Sequence, residues 1–245
     1  MIKRPLLSKS LQVVVFALGI GVLANPSIAG NQLYEPLAAS VRAAMAHAVK
    51  DGSSARLQFD DAAEGYRWLA EMSTRLERRI PDDKFRVELL KTVQYEATRA
   101  GLDPQMVLGL IQVESGFKKY AVSSASARGL MQVMPFWVGV IGEPGHTLFD
   151  MRLNIRYGCV IMRHYLDMER GNLFRALGRY NGSLGRSEYP NLVMGAWKQW
   201  QYNASTVAAA PTASSAPAGQ AEVARESVSN ASILIVPTRV ESAPQ

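Results

Sequence analysis

The sequence predicts an all-helical protein. Apolar residues recur at three- and four-residue spacings along most of the chain, no stretch sustains the two-residue alternation of a strand, and Asp, Pro and Gly punctuate the helix-prone runs.

Leu37 to Lys50 is Ala-rich and helix-prone, and Asp51-Gly52-Ser53-Ser54 breaks it. From Ala62 to Arg79 a second helix sets Trp68, Leu69, Met72, Leu76 and Ile80 on one face and charges on the other. This pair forms an N-terminal helical segment that either packs on the downstream domain or mediates an interaction.

Beyond Pro81 the pattern is denser. Phe85, Leu89, Val93 and Ala97 make a stripe that ends at Gly101, a C-capping residue. Asp103-Pro104 restarts a helix, with Asp as N-cap and Pro where its missing N–H costs nothing. Val107, Leu110, Ile111 and Glu114 then share one side, so a carboxyl group closes an apolar helix. Poor solvation favours the neutral form of such a group, which a general acid needs.

Ser123 to Arg128 reads as a small-residue loop, Gly129 to Val138 as apolar, and Gly142 to Thr147 as a second loop. Asn154 to Arg170 is a longer helix that buries Ile155, Gly158, Cys159, Met162 and Leu166. Leu173 to Tyr180 and Asn191 to Tyr202 are the last two helices.

The ends differ in character. Lys3, Arg4 and Lys9 precede an uncharged apolar run from Leu11 to Ala24, and Ser27-Ile28-Ala29 offers small residues for cleavage before Gly30. Residues 1–29 thus read as a signal peptide; an uncleaved anchor is the alternative, the run falling just short of the ~18 to 20 residues that span a bilayer. The expected location is the periplasm, with membrane contact only through that segment. Residues 204–245, rich in Ala, Ser, Pro and Val, bury too little to offset chain entropy and read as a disordered tail. Between them lie the N-terminal helical segment, 30–83, and a second, denser helical domain, 84–203.

The full chain carries a net charge of +6, and removing residues 1–29 leaves 24 basic against 21 acidic residues. Basic residues interspersed with acids do not make the clustered stripe of a nucleic-acid binder. Cys159 has no partner for an intrachain disulfide and reads as a small buried hydrophobe. His47, His146 and His164 lack metal-ligand spacing, so neither a metal nor another cofactor is expected.

Three segments in order carry a family resemblance: Val113-Glu114-Ser115-Gly116-Phe117, then Ala127-Arg128-Gly129-Leu130-Met131-Gln132-Val133-Met134-Pro135, then Ala176-Leu177-Gly178-Arg179-Tyr180-Asn181-Gly182. Over roughly residues 84–202 the chain resembles the lytic transglycosylases with a soluble-type (SLT) catalytic domain, a lysozyme-like helical fold acting on bacterial cell-wall glycan. The resemblance implies that Glu114 is the catalytic acid/base and that Ser115, Met131, Gln132, Tyr180 and Asn181 line the cleft. Many family members read Ala-Tyr-Asn-Ala-Gly at the third segment, where this chain has Arg179-Tyr180-Asn181-Gly182-Ser183. The Tyr and Asn carry over, while the sugar subsites around them do not.

Glycoside cleavage ordinarily uses two carboxylates. Glu143, Asp150, Asp167, Glu169 and Glu188 read as loop or solvated-face residues, so none is a convincing second one. The resemblance implies instead that Glu114 protonates the oxygen bridging N-acetylmuramic acid and N-acetylglucosamine while the muramoyl 2-acetamido group supports the developing charge. The carboxylate so formed then takes the C6 hydroxyl proton and a 1,6-anhydro ring closes without water. Tyr180 is expected to donate near the acetamido group or Glu114, and Ser115 to orient the carboxyl or a sugar substituent. Gly116 and Gly129 are expected to let the backbone approach the glycan.

Trp137, Trp197 and Trp200 read as core residues rather than sugar-stacking platforms. Arg152, Arg156 and Arg163 read as a solvated face that could also meet peptide carboxylates of the substrate. Two other functions stay open: hydrolysis on the same fold, as in goose-type lysozymes, and a silent glycan-binding or scaffold protein. The expected partners are peptidoglycan strands, with cell-envelope assembly proteins as further candidates.

Overall fold

A computed structural model describes residues 32–50 and 52–203 of the chain. The expected signal segment, the expected C-terminal tail and the Ile233-Leu234-Ile235-Val236 run within it lie outside the described residues.

Eight helices make up the described structure: α1 (Ala39–Lys50), α2 (Ala62–Leu76), α3 (Asp83–Arg99), α4 (Pro104–Ser115), α5 (Phe136–Ile141), α6 (Met151–Met168), α7 (Leu173–Asn181) and α8 (Glu188–Trp200). No strand occurs among the described residues; Arg128 makes isolated bridges to Val122 and Val133. No described helix is long and apolar enough to cross a membrane.

The predicted punctuation acts as local chemistry demands. Asp103 accepts hydrogen bonds from the backbone N–H groups of Gln105 and Met106, with Pro104 in the first turn. At the end of α3, Gly101 is left-handed at φ 66°, and the N–H groups of Gly101 and Leu102 return to the carbonyls of Thr98 and Ala97. That is a Schellman closure, with Leu102 buried beyond it.

Boundaries move where one signal masked another. α6 begins at Met151, because Asp150 caps it by accepting from Leu153 N–H at 2.8 Å. α8 begins at Glu188, upstream of Pro190. A proline in the first turn is harmless because the N–H it lacks has no intrahelical partner there, and the ladder starts with Asn191 N–H to Ser187 O at 3.0 Å. Of the apolar stretch from Gly129 to Val138, only the part from Phe136 onward is helical; the preceding residues form tight turns around the Arg128 bridges.

One continuous core joins all eight helices, and it includes Met45, Val49, Trp68, Met72 and Leu76 from the first two. Those two helices therefore pack on the rest of the described chain. Gln94 exchanges hydrogen bonds with the Gln58 backbone at 2.8 and 2.7 Å, and Arg75 donates to the Gln199 and Gln201 carbonyls at the end of α8. Trp137, Trp200 and Cys159 are buried as expected, while Trp197 is half-buried.

The arginine series corrects its sequence reading. Arg156 is buried, and its guanidinium reaches Glu96 Oε1 with Nη2 at 2.8 Å and Nε at 3.1 Å, while Nη1 donates to Val49 O. Glu96, fully buried, spends its other oxygen on Arg99 at 2.8 Å. Only Arg163, paired with Asp167, fits the solvated face. Periodicity places Arg156 on a helix but cannot reveal that a carboxylate from α3 waits opposite it.

Candidate active site

The most extensive helix pairing is α4 against α8. It depends on Gly109, where an added Cβ would lie 2.7 Å from the Trp197 backbone nitrogen and 2.9 Å from its Cα. A bare backbone at this point lets the two helices approach closely. Where they meet, Glu114 at the end of α4 contacts Tyr189 in the first turn of α8.

Glu114 is 3% exposed, and its Oε1 accepts a hydrogen bond from the Tyr189 hydroxyl, itself 1% exposed. Oε2 is buried with no partner. Burial pushes the carboxyl up to about 8, against which the Tyr189 hydrogen bond pulls downward. Desolvation wins because one phenolic donor replaces little of the hydration of a carboxylate. The acid is protonated at neutral pH.

Beside it opens a cleft of about 380 Å³, lined by Val113, Glu114, Ser115, Gly116, Lys118, the Ala121 to Ser123 stretch and Gln132. Glu114 is the one carboxylate in that lining. Glu143 pairs with Lys50, Asp150 caps α6, Asp167 pairs with Arg163, and Glu169 pairs with Arg175 and Arg179.

Helix α4 ends at the cleft in two successive left-handed residues, Gly116 at φ 58° and Phe117 at φ 67°. For a bulky Phe this conformation is an outlier that needs outside support. Its ring is buried and packs edge-on to Trp200 with centroids 5.6 Å apart. The sharp reversal leaves Glu114 at the cleft wall. An added Cβ at Gly116 would meet nothing within 4 Å, so this glycine does face open space.

The remaining motif residues sort into wall and foundation. Ser115 Oγ lies 2.7 Å from Leu130 O and 3.2 Å from Ile111 O, so its single proton is committed to backbone rather than to the carboxyl. Gln132, left-handed at φ 47°, donates from Nε2 to Gly129 O at 2.9 Å and Ala121 O at 3.2 Å, bracing the loop that forms the far wall. Met131, fully buried, packs beneath that wall against Gly158.

Tyr180, expected to donate near the substrate acetamido group or Glu114, has its hydroxyl proton engaged elsewhere. Its hydroxyl donates to Met131 O at 2.8 Å, fully buried, and joins α7 to the Met131 loop. Neither Tyr180 nor Met131 is part of the cleft lining, and neither is Asn181. Asn181 donates to Ser183 Oγ at 3.1 Å and leaves its Oδ1 buried without a partner. Gly129 also differs from expectation: at φ 77°, its Cβ position is taken by Asn154 Nδ2 at 2.4 Å and Leu148 O at 2.5 Å, so the close approach is to protein.

Sequence reasoning missed two residues. Tyr189 holds Glu114, and its only signal was an aromatic beside a proline at a helix start. Asn154, buried on α6, accepts from Met131 N–H at 2.8 Å and donates to Arg128 O at 2.8 Å and Leu148 O at 2.9 Å. A polar residue on the apolar face of a helix was its signal. With every polar group matched, Asn154 clamps the loop that carries Met131 and Gln132.

Residues 91–203 match the family model described as Transglycosylase SLT domain. Among curated proteins the chain is similar to membrane-bound lytic murein transglycosylase C of Haemophilus influenzae (strain PittEE), at 33% identity over 112 residues, covering 39% of this chain and 31% of the relative. The protein of the same name in Mannheimia succiniciproducens is 40% identical over 78 residues, covering 28% of this chain and 22% of the relative. That of Actinobacillus pleuropneumoniae serotype 5b is 48% identical over 52 residues, covering 21% and 14%. The chain thus spans about a third or less of the length of these relatives.

Proposed function

We propose that the chain, whose residues 91–203 match the family model described as Transglycosylase SLT domain, is a periplasmic peptidoglycan lytic transglycosylase in which Glu114 is the single acid/base. The observation that carries this reading is the state of Glu114: buried, protonated at neutral pH, held through Oε1 by Tyr189 and unpartnered at Oε2 beside the cleft.

The chemistry balances with one carboxyl group. Glu114 gives its proton to the oxygen joining C1 of N-acetylmuramic acid to C4 of N-acetylglucosamine, and the C1–O bond breaks as the 2-acetamido oxygen supports C1. Glu114, now charged in a site that disfavours charge, takes the proton from the C6 hydroxyl. O6 bonds to C1, the acetamido group is released, and the acid is restored without water. Tyr189 stabilises the transient carboxylate by keeping its hydrogen bond to Oε1. A lining with no second carboxylate supports substrate assistance over a paired-carboxylate hydrolysis. The periplasmic assignment rests on the charged, apolar and small-residue order of residues 1–29.

Mass spectrometry of soluble products from purified peptidoglycan tests the proposal. Muropeptides lighter by one water, released by the native protein and absent with Glu114→Gln, are the expected result. Glu114-dependent products with free reducing ends would make the protein a hydrolase, and no release by the native protein would make it a binding protein.

A further inference from the structure

Between Glu114 and Glu143 the chain contains no Asp or Glu, yet it places Lys118 in the cleft lining, Lys119 next to it in the chain, and Arg128 opposite the lining residue Val122. Lys118 lines the cleft and is exposed. Lys119 Nζ lies 5.4 Å from the ring centroid of Tyr120 and 5.9 Å from that of Phe85. Tyr120, 71% exposed, packs at 5.9 Å on Phe149, over which the Arg128 guanidinium lies at 5.9 Å. Arg128 is bridged to Val122, another lining residue. None of the three cations makes an ion pair with a described residue.

Elsewhere the described arginines are mostly spent on partners: Arg67, Arg75, Arg86, Arg99, Arg152, Arg156, Arg163, Arg175 and Arg179 all sit within ion-pair distance of a carboxylate. Lys118 in the lining, with Lys119 and Arg128 braced by aromatic rings on the segments that adjoin it, forms a positive field beside a cleft whose own carboxyl is neutral. The carboxylates of a peptide stem outnumber the single lactyl carboxylate that its removal exposes on N-acetylmuramic acid, so peptide-bearing glycan gains more from this field than stripped glycan does. We infer that the rim formed by Lys118, Lys119, Tyr120 and Arg128 binds the acidic peptide stems of the substrate, so that the protein selects peptide-bearing over peptide-stripped glycan. This rests on the transglycosylase reading for the identity of the glycan and adds which form of it is bound. It also moves peptide recognition from the arginines of α6, which face Glu96 and Asp167, to the cleft rim.

The test uses the Glu114→Gln protein, which holds glycan without turning it over. Its affinity for soluble glycan chains is measured by calorimetry, before and after removal of their peptides by an amidase, at low salt and at 0.5 M salt. About tenfold tighter binding of the peptide-bearing chains is expected at low salt, with that preference collapsing at high salt. Adding Lys118→Gln, Lys119→Gln and Arg128→Gln together is expected to abolish the preference while leaving the melting temperature in place. Equal affinity for the two glycans, binding to neither, or a preference that survives salt and the triple substitution would overturn the inference. The transglycosylase reading fails separately, if native protein shows the binding preference yet releases no water-deficient product.

Discussion

The hydroxyl of Tyr189 donates to Oε1 of Glu114 across the α4 and α8 contact, both groups almost fully buried. In the proposed mechanism Glu114 gives a proton and then takes one back, which needs its charged form to be reachable, and this bond supplies that reach. In that proposal Tyr189 is a positioning residue for Glu114. Tyr189→Phe is expected to lower kcat by about 10- to 100-fold with little change in KM, and to move the alkaline limb of the rate profile to higher pH. A kcat loss with an unmoved pH limb would count against this role.

Glu114 also ties stability to pH. Its folded-state value of about 8 lies above the ordinary 4.5, so the folded protein holds a proton that the unfolded chain releases. The stabilising contribution is complete below about pH 4.5 and is lost as pH rises through about 8. Glu114→Gln removes this dependence and is expected to be more stable than native protein at pH 8 by a few kcal/mol, on the order set by the shift. Urea titrations at pH 5 and pH 8 measure it; parallel losses for both proteins would show that Glu114 is not the group responsible.

Gly109 sets the spacing of the two helices. Gly109→Ala forces a methyl group to within 3 Å of the Trp197 backbone, and neither helix can yield without moving its partner. A loss of about 1–3 kcal/mol is expected from the overpacking, together with reduced activity as Tyr189 withdraws from Glu114. Gly139→Ala, which meets nothing within 4 Å, is the control and is expected to leave both unchanged.

Glu96 and Arg156 are both buried, so removing one strands the other. Glu96→Ala is expected to cost about 3–5 kcal/mol in chemical denaturation, whereas a Glu96→Leu, Arg156→Met double replacement is expected to recover much of it. A Glu96→Ala loss below about 1 kcal/mol would mean that water reaches Arg156.

The helices and the acid were legible in the chain because their signals are local. Gly101-Leu102 and Asp103-Pro104 mark the end of α3 and the start of α4 through bonds to residues within five positions, and the stripe ending at Glu114 predicts burial at one helix face. The start of α8 was obscured by Pro190, since a breaker in a helix interior and a harmless residue in a first turn look alike until the first ladder bond is seen.

The helical class and the neutral carboxyl at the end of α4 are written in the chain itself, because periodicity, capping and desolvation act within one segment. Which phenol serves Glu114 is settled only by packing. Tyr180 and Tyr189 stand nine positions apart, and the closeness of α4 and α8 at Gly109 gives the carboxyl to one while Met131 O takes the other. Packing likewise buried Arg156 against Glu96 and left Lys118 in the cleft lining without a counter-charge. Pairing across distant segments depends on where the backbones come to rest, and no local pattern encodes that.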